Sequence, residues 1–393
     1  MFPALARDSV RAIAASRIRE VANAAMGTDD LLAFWFGEPD RPTPRFIVEA
    51  AHAALDAGET FYLPNLGLPA LRQALAGYLD RLRPTGSAAV EATRIAVTSS
   101  GVSGLMLAAQ AIVAPGDRVV AVVPLWPNLT GIARVLGARV DTVALQVDPA
   151  TGCWALDVDR LLAALTPGTR LLMINSPGNP TGWVMPAEAM RAVLDHCRRH
   201  GIWLLSDEAY DRLVFDGRPR APSALDAADP DDRVVVANTF SKTWQMTGWR
   251  LGWLVLPPAL VPDVEKLIEF NTSCAPAFVQ HAGVAAVRDG DPAIAAFREY
   301  VATGARTLAE ALDRVPGVRP VRPDGAMYLL LRVDGEADSL ALAKALARDA
   351  RLGLAPGVAF GPEAEGMLRW CVARPAATLL EGADRLARYL ARR

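Results

Sequence analysis

Several side chains that can do chemistry crowd into the stretch TFSKTWQMTGWRLGW, residues 239–253: the hydroxyls of Thr239 and Ser241, then Lys242, and Arg250 eight residues further on. A lysine among apolar residues is costly while charged. Burial therefore lowers its pKa from the free value of about 10.4 and leaves an amine able to attack a carbonyl carbon. A solvated surface position is the ordinary alternative for any single lysine; the hydroxyls and the arginine beside it are what set Lys242 apart.

Other candidates stand where short apolar runs end. IAVT is followed by Ser99, Ser100 and Gly101, opening a helix predicted from about Val102, whose free backbone N–H groups and dipole suit a phosphate. Ser-Gly before a helix is also plain capping. RVVAVV leads to Trp126 in VPLWPN, which can equally be a core tryptophan. LLMIN leads to SPGNPTG, where Asn179 is held between the turn formers Gly178 and Pro180, and turn chemistry alone accounts for that segment. IWLLS leads to Asp207-Glu208-Ala209-Tyr210: a carboxylate after a buried strand needs a partner for its charge, unless Asp207 caps a helix and Tyr210 fills the core.

The elements that must position these groups alternate in type. Between most of the apolar runs from Ile95 onward lie ten to fifteen residues of helical period, such as 187–200, and this alternation predicts a largely parallel sheet with helices on both faces. Ligands of such sheets sit at the carboxyl ends of the strands, where the candidates fall. After about Pro258 the pattern changes to an α+β order, with strand-like MYLLLRV and MLRWCVA separated by a helix around residues 340–350 and followed by a final helix. Near the start, Ser9 is expected to cap one helix whose apolar positions Val10, Ile13, Ala14, Ile18, Val21 and Ala25 end near Gly27.

Composition narrows the function classes. A chain of 393 residues suggests two or three domains of about 150 residues. The formal net charge of -2 gives no reason to expect nucleic acid or an anionic membrane as a partner. Cys153, Cys197, Cys274 and Cys371 are scattered without CxxC spacing and read as reduced, buried fillers, neither a disulfide frame nor a zinc site; no metal is expected. The segment holding Arg7, Asp8, Arg11, Arg17 and Arg19 lacks a secretory apolar stretch, and no run approaches the roughly 18 apolar residues of a membrane span. A cytoplasmic location is the expectation. GVSGL is no nucleophile elbow, and HExxH, Walker and dinucleotide fingerprints are missing.

In chain order the strand-end groups run phosphate loop, aromatic, Asn, Asp with Tyr, Lys, Arg. In that order the sequence resembles the class I/II aminotransferases of the aspartate aminotransferase superfamily, pyridoxal-phosphate enzymes of fold type I, from FWFGEPDRPTP at Phe34 to LRWCVA near the end. The resemblance implies a large α/β domain with a mainly parallel seven-stranded sheet sandwiched by helices, plus a smaller α+β domain. It divides the chain into an arm and part of the small domain over residues 1–45, the cofactor-binding domain over 46–270 and the small domain over 271–393.

The same resemblance assigns roles. Lys242 matches the lysine that bonds the cofactor aldehyde and, once released by substrate, moves the proton; its lowered pKa is expected to owe more to that bond and to Arg250 than to burial. Asp207 matches the partner of the pyridine nitrogen, Tyr210 and Asn179 the groups on the ring's phenolic oxygen, and Trp126 the aromatic on the ring face. Arg250, Thr239, Ser241 and the backbone of Ser100, Gly101 and Val102 match the phosphate donors, with Val102 a departure because relatives often place a polar residue there. Tyr62, in GETFYLPNLG, matches a tyrosine that reaches the neighbouring subunit's phosphate, which implies a homodimer. Arg369 matches the arginine gripping the substrate α-carboxylate; Arg374 is the decoy that strand alternation turns away. Gly37 and Asn179 are expected beside that carboxylate, with Trp126 also lining the substrate site.

The implied reaction is ping-pong transamination between an L-amino acid and a 2-oxo acid in amino-acid metabolism or biosynthesis. A C-S lyase, decarboxylase, racemase or oxidase would share most of the constellation, and a non-catalytic sensor module is the reading from another class. Trp35 and Phe36 are expected to meet the substrate side chain, and an acidic substrate would need a second arginine or lysine there.

Overall fold

Strands with apolar side chains on both faces have little to offer to water and must be covered on both sides. The computed structural model, which describes residues 6–392, contains such a layer; residues 1–5 of the expected arm and Arg393 lie outside the described residues. The strands β1 (Ile95–Thr98), β2 (Arg118–Val123), β3 (Arg139–Ala144), β4 (Thr169–Asn175), β5 (Trp203–Asp207), β6 (Val234–Thr239) and β7 (Gly252–Val255) form one sheet in the order β1-β7-β6-β5-β4-β2-β3. Neighbours from β6 to β3 pair in parallel, and β7 runs antiparallel to both β6 and β1. Since β1 and β6 both oppose β7, they point the same way, and Thr98, Val123, Asn175, Asp207 and Thr239 end at one edge.

One face of the sheet is covered by the helices Gly101–Ile112, Pro127–Val135 and Val261–Glu269. The other is covered by Arg45–Asp56, Pro69–Leu82, Ala187–His200 and Ala277–Asp289. Residues 277–289, expected from the sequence pattern in the second domain, thus pack on the first core. The long helix Asp291–Leu312 passes between bodies: Ile294 belongs to the core on the seven-stranded sheet and Phe297 to the next. Strands β8 (Val318–Val321), β9 (Tyr328–Val333), β10 (Ala355–Pro356) and β11 (Met367–Cys371) make an antiparallel sheet in the order β8-β9-β11-β10. Its core takes in Val21, Phe34 and Trp35 from the N-terminal segment and Tyr210 from beyond β5, so three stretches of chain meet over the strand ends.

The single N-terminal helix expected from Ser9 is instead two, Asp8–Arg11 and Arg17–Ala24, and Ser16 caps the second by accepting from the Arg19 N–H at 3.3 Å. Burial decides the break: Ile18, Val21 and Ala25 are buried, whereas Val10 is 40% exposed. The cysteines are all free, but only Cys197 and Cys371 are buried; Cys153 and Cys274 are half-exposed. Among the described residues no helix is long and apolar enough to cross a membrane.

Candidate active site

A cavity of about 360 Å³ opens at the shared strand edge, between the large sheet, the N-terminal segment and the small sheet. Gly37, Gly101, Val102, Trp126, Asn179, Asp207, Tyr210, Thr239, Ser241, Lys242, Arg250 and Arg369 all line it, as do Trp35 and Phe36. Ser100 lies at its rim as the cap of the helix Gly101–Ile112. Tyr62 does not reach it: the side chain is 88% exposed on a loop, beside the equally open Phe61 and near Cys274.

Lys242 follows the turn out of β6 and donates from Nζ to the Gly37 carbonyl at 2.6 Å. Burial pushes its pKa down to about 8, with Arg369 and then Arg250 adding to the lowering. In the free chain burial therefore leads and Arg369 precedes Arg250. The chain has three lysines. Lys266 pairs with Asp263 at 2.9 Å and Lys344 with Glu20 at 2.6 Å, so among the described residues Lys242 alone of the three makes no ion pair.

Asp207 closes β5, 5% exposed, and its Oδ1 accepts from the Ala209 N–H at 3.2 Å. Burial raises its pKa to about 7 against the lowering effects of that N–H and of Lys242. A carboxylate so poorly served is ready for a cationic partner. Asn175, at the end of β4, donates to the Asp207 carbonyl at 3.1 Å and accepts from the Asn179 N–H at 2.7 Å. It thereby fixes both neighbours, a role the run LLMIN did not advertise. Tyr210 is buried, and its hydroxyl lies 2.7 Å from that of Tyr328, a residue the sequence reading passed over as part of a strand.

At the other end of the cavity the helix begins at Gly101, one residue earlier than expected. The Ser100 Oγ accepts from the Ser103 N–H at 3.1 Å, leaving Gly101 and Val102 N–H groups without an intrahelical acceptor. Ser100 has φ 146°, a region that disfavours side chains, and the backbone is brought there by close approach to β7. A Cβ on Gly252 would lie 2.5 Å from the Gly101 nitrogen, so glycine is required at that crossing. Thr239 donates to the Ser241 hydroxyl at 2.9 Å, and Arg250, exposed and left-handed at φ 55°, donates only to the Thr247 carbonyl at 2.5 Å. Val102 offers no polar side chain, so its contribution can only be through the backbone.

Arg369, 2% exposed on β11, donates from Nη1 to Asn179 Oδ1 at 2.8 Å and from Nη2 to the Trp35 carbonyl, while its buried Nε has no partner. Its guanidinium lies 4.4 Å from the Tyr328 ring centre and 4.7 Å from that of Phe360. Arg374 points elsewhere and holds the Glu38 carbonyl at 2.7 Å. The reason for glycine at 37 is sharper than expected: a Cβ there would lie 1.8 Å from the Tyr328 hydroxyl. Trp35 packs its ring on Gly353, where a Cβ would meet it at 2.3 Å, so it serves the cavity chiefly by its carbonyl, and Phe36, 38% exposed, is the aromatic left beside the opening.

Pyridoxal phosphate fits this donor set on two observations. The underserved Asp207 can pair with a protonated ring nitrogen, and the free N–H groups of the helix start with Arg250 suit a dianion; beside them the orphaned Arg369 Nε suits the carboxylate of a substrate. Fold and site together define a fold type I pyridoxal-phosphate enzyme. Residues 29–386 match the family described as Aminotransferase class I and II. Similar proteins include arginine–pyruvate transaminase of Pseudomonas aeruginosa, 33% identical over 94% of this chain and 92% of that protein. Aspartate aminotransferase of Pyrococcus horikoshii is 30% identical over 98% and 96%. A solved Thermus thermophilus aspartate aminotransferase mutant superposes with a TM-score of 0.90 at 32% identity, covering 98% of this chain and all of that one. The chain belongs to the class I and II aminotransferases and is a pyridoxal-phosphate-dependent transaminase.

Proposed function

We propose that the cavity carries both halves of a ping-pong exchange between an L-amino acid and a 2-oxo acid, with Lys242, Asp207 and Tyr210 as its catalytic groups. The observation that carries this reading is Lys242 itself, among the described residues the one lysine without an ion pair, held at the strand edge with its pKa near 8. When bound, pyridoxal phosphate supplies an electron sink for the pair left behind by the Cα–H bond. Asp207 would hold the ring nitrogen, Tyr210 and Asn179 would serve the phenolic oxygen, and Trp126 would cover the ring face. Thr239, Ser241, Arg250 and the N–H groups of Ser100, Gly101 and Val102 take the phosphate.

Arg369 orients the amino acid by its α-carboxylate, with Gly37 leaving room, so that the Cα–H bond faces Lys242. Lys242 Nζ, neutral once its proton is lost near pH 8, then takes the proton from Cα. The relatives are named for substrates as unlike as arginine, aspartate and aromatic amino acids, which supports an L-amino acid and no narrower class. We further propose a cytoplasmic homodimer acting in amino-acid metabolism. The exposed Phe61, Tyr62 and Phe270, 81%, 88% and 89% accessible, support a partner surface that brings Tyr62 to the neighbouring phosphate.

The test is a single-turnover screen of amino acids against the yellow holoenzyme. Transamination is expected to bleach the aldehyde form to the aminated form and release the matching 2-oxo acid, with a 2-oxo acid restoring the colour. Pyruvate and ammonia from a cysteine conjugate, without an aminated form, would assign the site to β-elimination instead.

A further inference from the structure

Tyr328, the first residue of β9, stands between the two ends of the site. Only 1% exposed, it touches three groups at once. Its hydroxyl lies 2.7 Å from that of Tyr210, the two rings meeting edge to face at 5.6 Å and 78°. Its face lies against the Arg369 guanidinium at 4.4 Å. The same hydroxyl occupies the space that a side chain on Gly37 would need, and the Gly37 carbonyl is the acceptor for Lys242 Nζ. Sheet register explains the meeting: Tyr328 pairs with Cys371, two residues from Arg369 on the adjacent strand, and such diagonal neighbours on one face are within reach of long side chains.

In a pair of hydroxyls only one can donate to the other. Burial raises both phenols, Tyr328 to about 12 and Tyr210 well above its ordinary value, while Arg369 draws both down. Tyr210 has a single proton, and its proposed place at the cofactor's ring oxygen uses it, so within the pair Tyr328 is the donor. Its proton on the Tyr210 oxygen leaves the Tyr210 proton free to turn into the cavity, and polarises it. We propose that Tyr328 is a positioning residue that couples the carboxylate arginine to the ring-side tyrosine: its face keeps Arg369 Nε aimed at the substrate, and its hydroxyl directs the Tyr210 proton toward the cofactor. The inference rests on the proposed roles of Arg369 and Tyr210, and Tyr328, although it also lines the cavity, acts through these two side chains.

Two variants separate the face from the hydroxyl. Tyr328→Phe keeps the ring, and Tyr328→Leu removes both. In the holoenzyme, the affinity for propanoate, an unreactive carboxylate, is read from its perturbation of the visible absorption band, and the pH midpoint of that band is read without ligand. Tyr328→Phe is expected to bind propanoate within about twofold of the parent but to raise the pH midpoint by about half a unit, because a less polarised Tyr210 donor holds the ring oxygen's negative charge less well. Tyr328→Leu is expected to add about a tenfold loss of propanoate affinity. The charged or titrating groups facing this pair are Arg369, Asp207 and Cys371, with Lys242 across Gly37, and none is altered by either variant. A Tyr328→Phe midpoint equal to the parent's would overturn the hydroxyl's role, and equal propanoate affinity in both variants would overturn the face's. Neither readout uses turnover, so a parent enzyme that failed to exchange amino groups would refute the proposed reaction separately.

Discussion

The two arginines of the site are held in opposite ways. Arg369 sits on a central strand of the small sheet, flanked by two aromatic rings, with two of its three nitrogens already bonded within the chain. Arg250 sits on an exposed turn after β6 with a single bond to a nearby carbonyl. A buried cation must have most of its partners built in, because leaving them out would cost several kcal/mol; an exposed one is solvated until a ligand arrives. The carboxylate end is therefore preorganised around one orphaned Nε, and an unpaired buried donor of this kind costs about 1–3 kcal/mol until a substrate satisfies it. The proposed phosphate end would spread its work over three backbone N–H groups, two hydroxyls and a guanidinium, no one of which is decisive.

That contrast can be broken or sharpened by mutation, with the largest effect at the buried end. Arg369→Gln is expected to lower kcat/KM for every amino acid substrate by about 10³-fold, the size of losing a desolvated charge pair, while the affinity for pyridoxal phosphate stays within about twofold. Equal losses at both ends, by steady-state kinetics and cofactor titration, would show that the two regions are not independent. Gly37→Ala forces Tyr328 aside and is expected to cost about 30-fold in kcat/KM by displacing Arg369, a typical overpacking penalty. An alanine variant with parental kinetics would mean that the small sheet yields more easily than its burial suggests. Arg250→Gln is expected to weaken pyridoxal phosphate binding to the apoenzyme by about tenfold, read by fluorescence titration, with propanoate affinity of the reloaded enzyme unchanged.

The smallest effect is in pH. The Lys242 amine is held down to about 8, so its nucleophilic neutral form is lost as pH falls below that value and saturates above it. The rate of pyridoxal phosphate capture by the apoenzyme should rise through a midpoint near 8, falling about tenfold for each unit below it. A midpoint above 10 would mean that the amine is solvated and that the buried setting of Lys242 is wrong.

Much of this was legible in the sequence because strand ends announce themselves. Apolar runs such as LLMIN and IWLLS stop at polar residues, and the helix 187–200 carries its own period and a left-handed Gly201 at its end. Lys242, Asp207, Asn179 and Arg369 stand at such stops or in strongly marked motifs, and the folded chain brings them into one cavity. What stayed hidden depends on register between strands far apart in the chain. Tyr328 and Phe360 acquire their place only when β9, β11 and the segment after β10 pair, and nothing in MYLLLRV separates a site tyrosine from a core one. β7 was hidden inside the motif-rich stretch, and β3, an edge strand with half its residues exposed, lacked the apolar run that marked the others. The break in the N-terminal helix escaped because periodicity records which residues could share a face, not which of them find a surface to bury against.

The central claim is that Lys242 is the residue bonded to the cofactor, and the chain's three lysines make it directly testable. Holoenzyme is treated with borohydride to fix the carbon–nitrogen bond, digested, and mapped by mass spectrometry. A reduced pyridoxyl group on Lys242, absent from Lys242→Ala, is the expected result; the group on Lys266 or Lys344 instead, or undiminished labelling of the Lys242→Ala protein, would contradict the account.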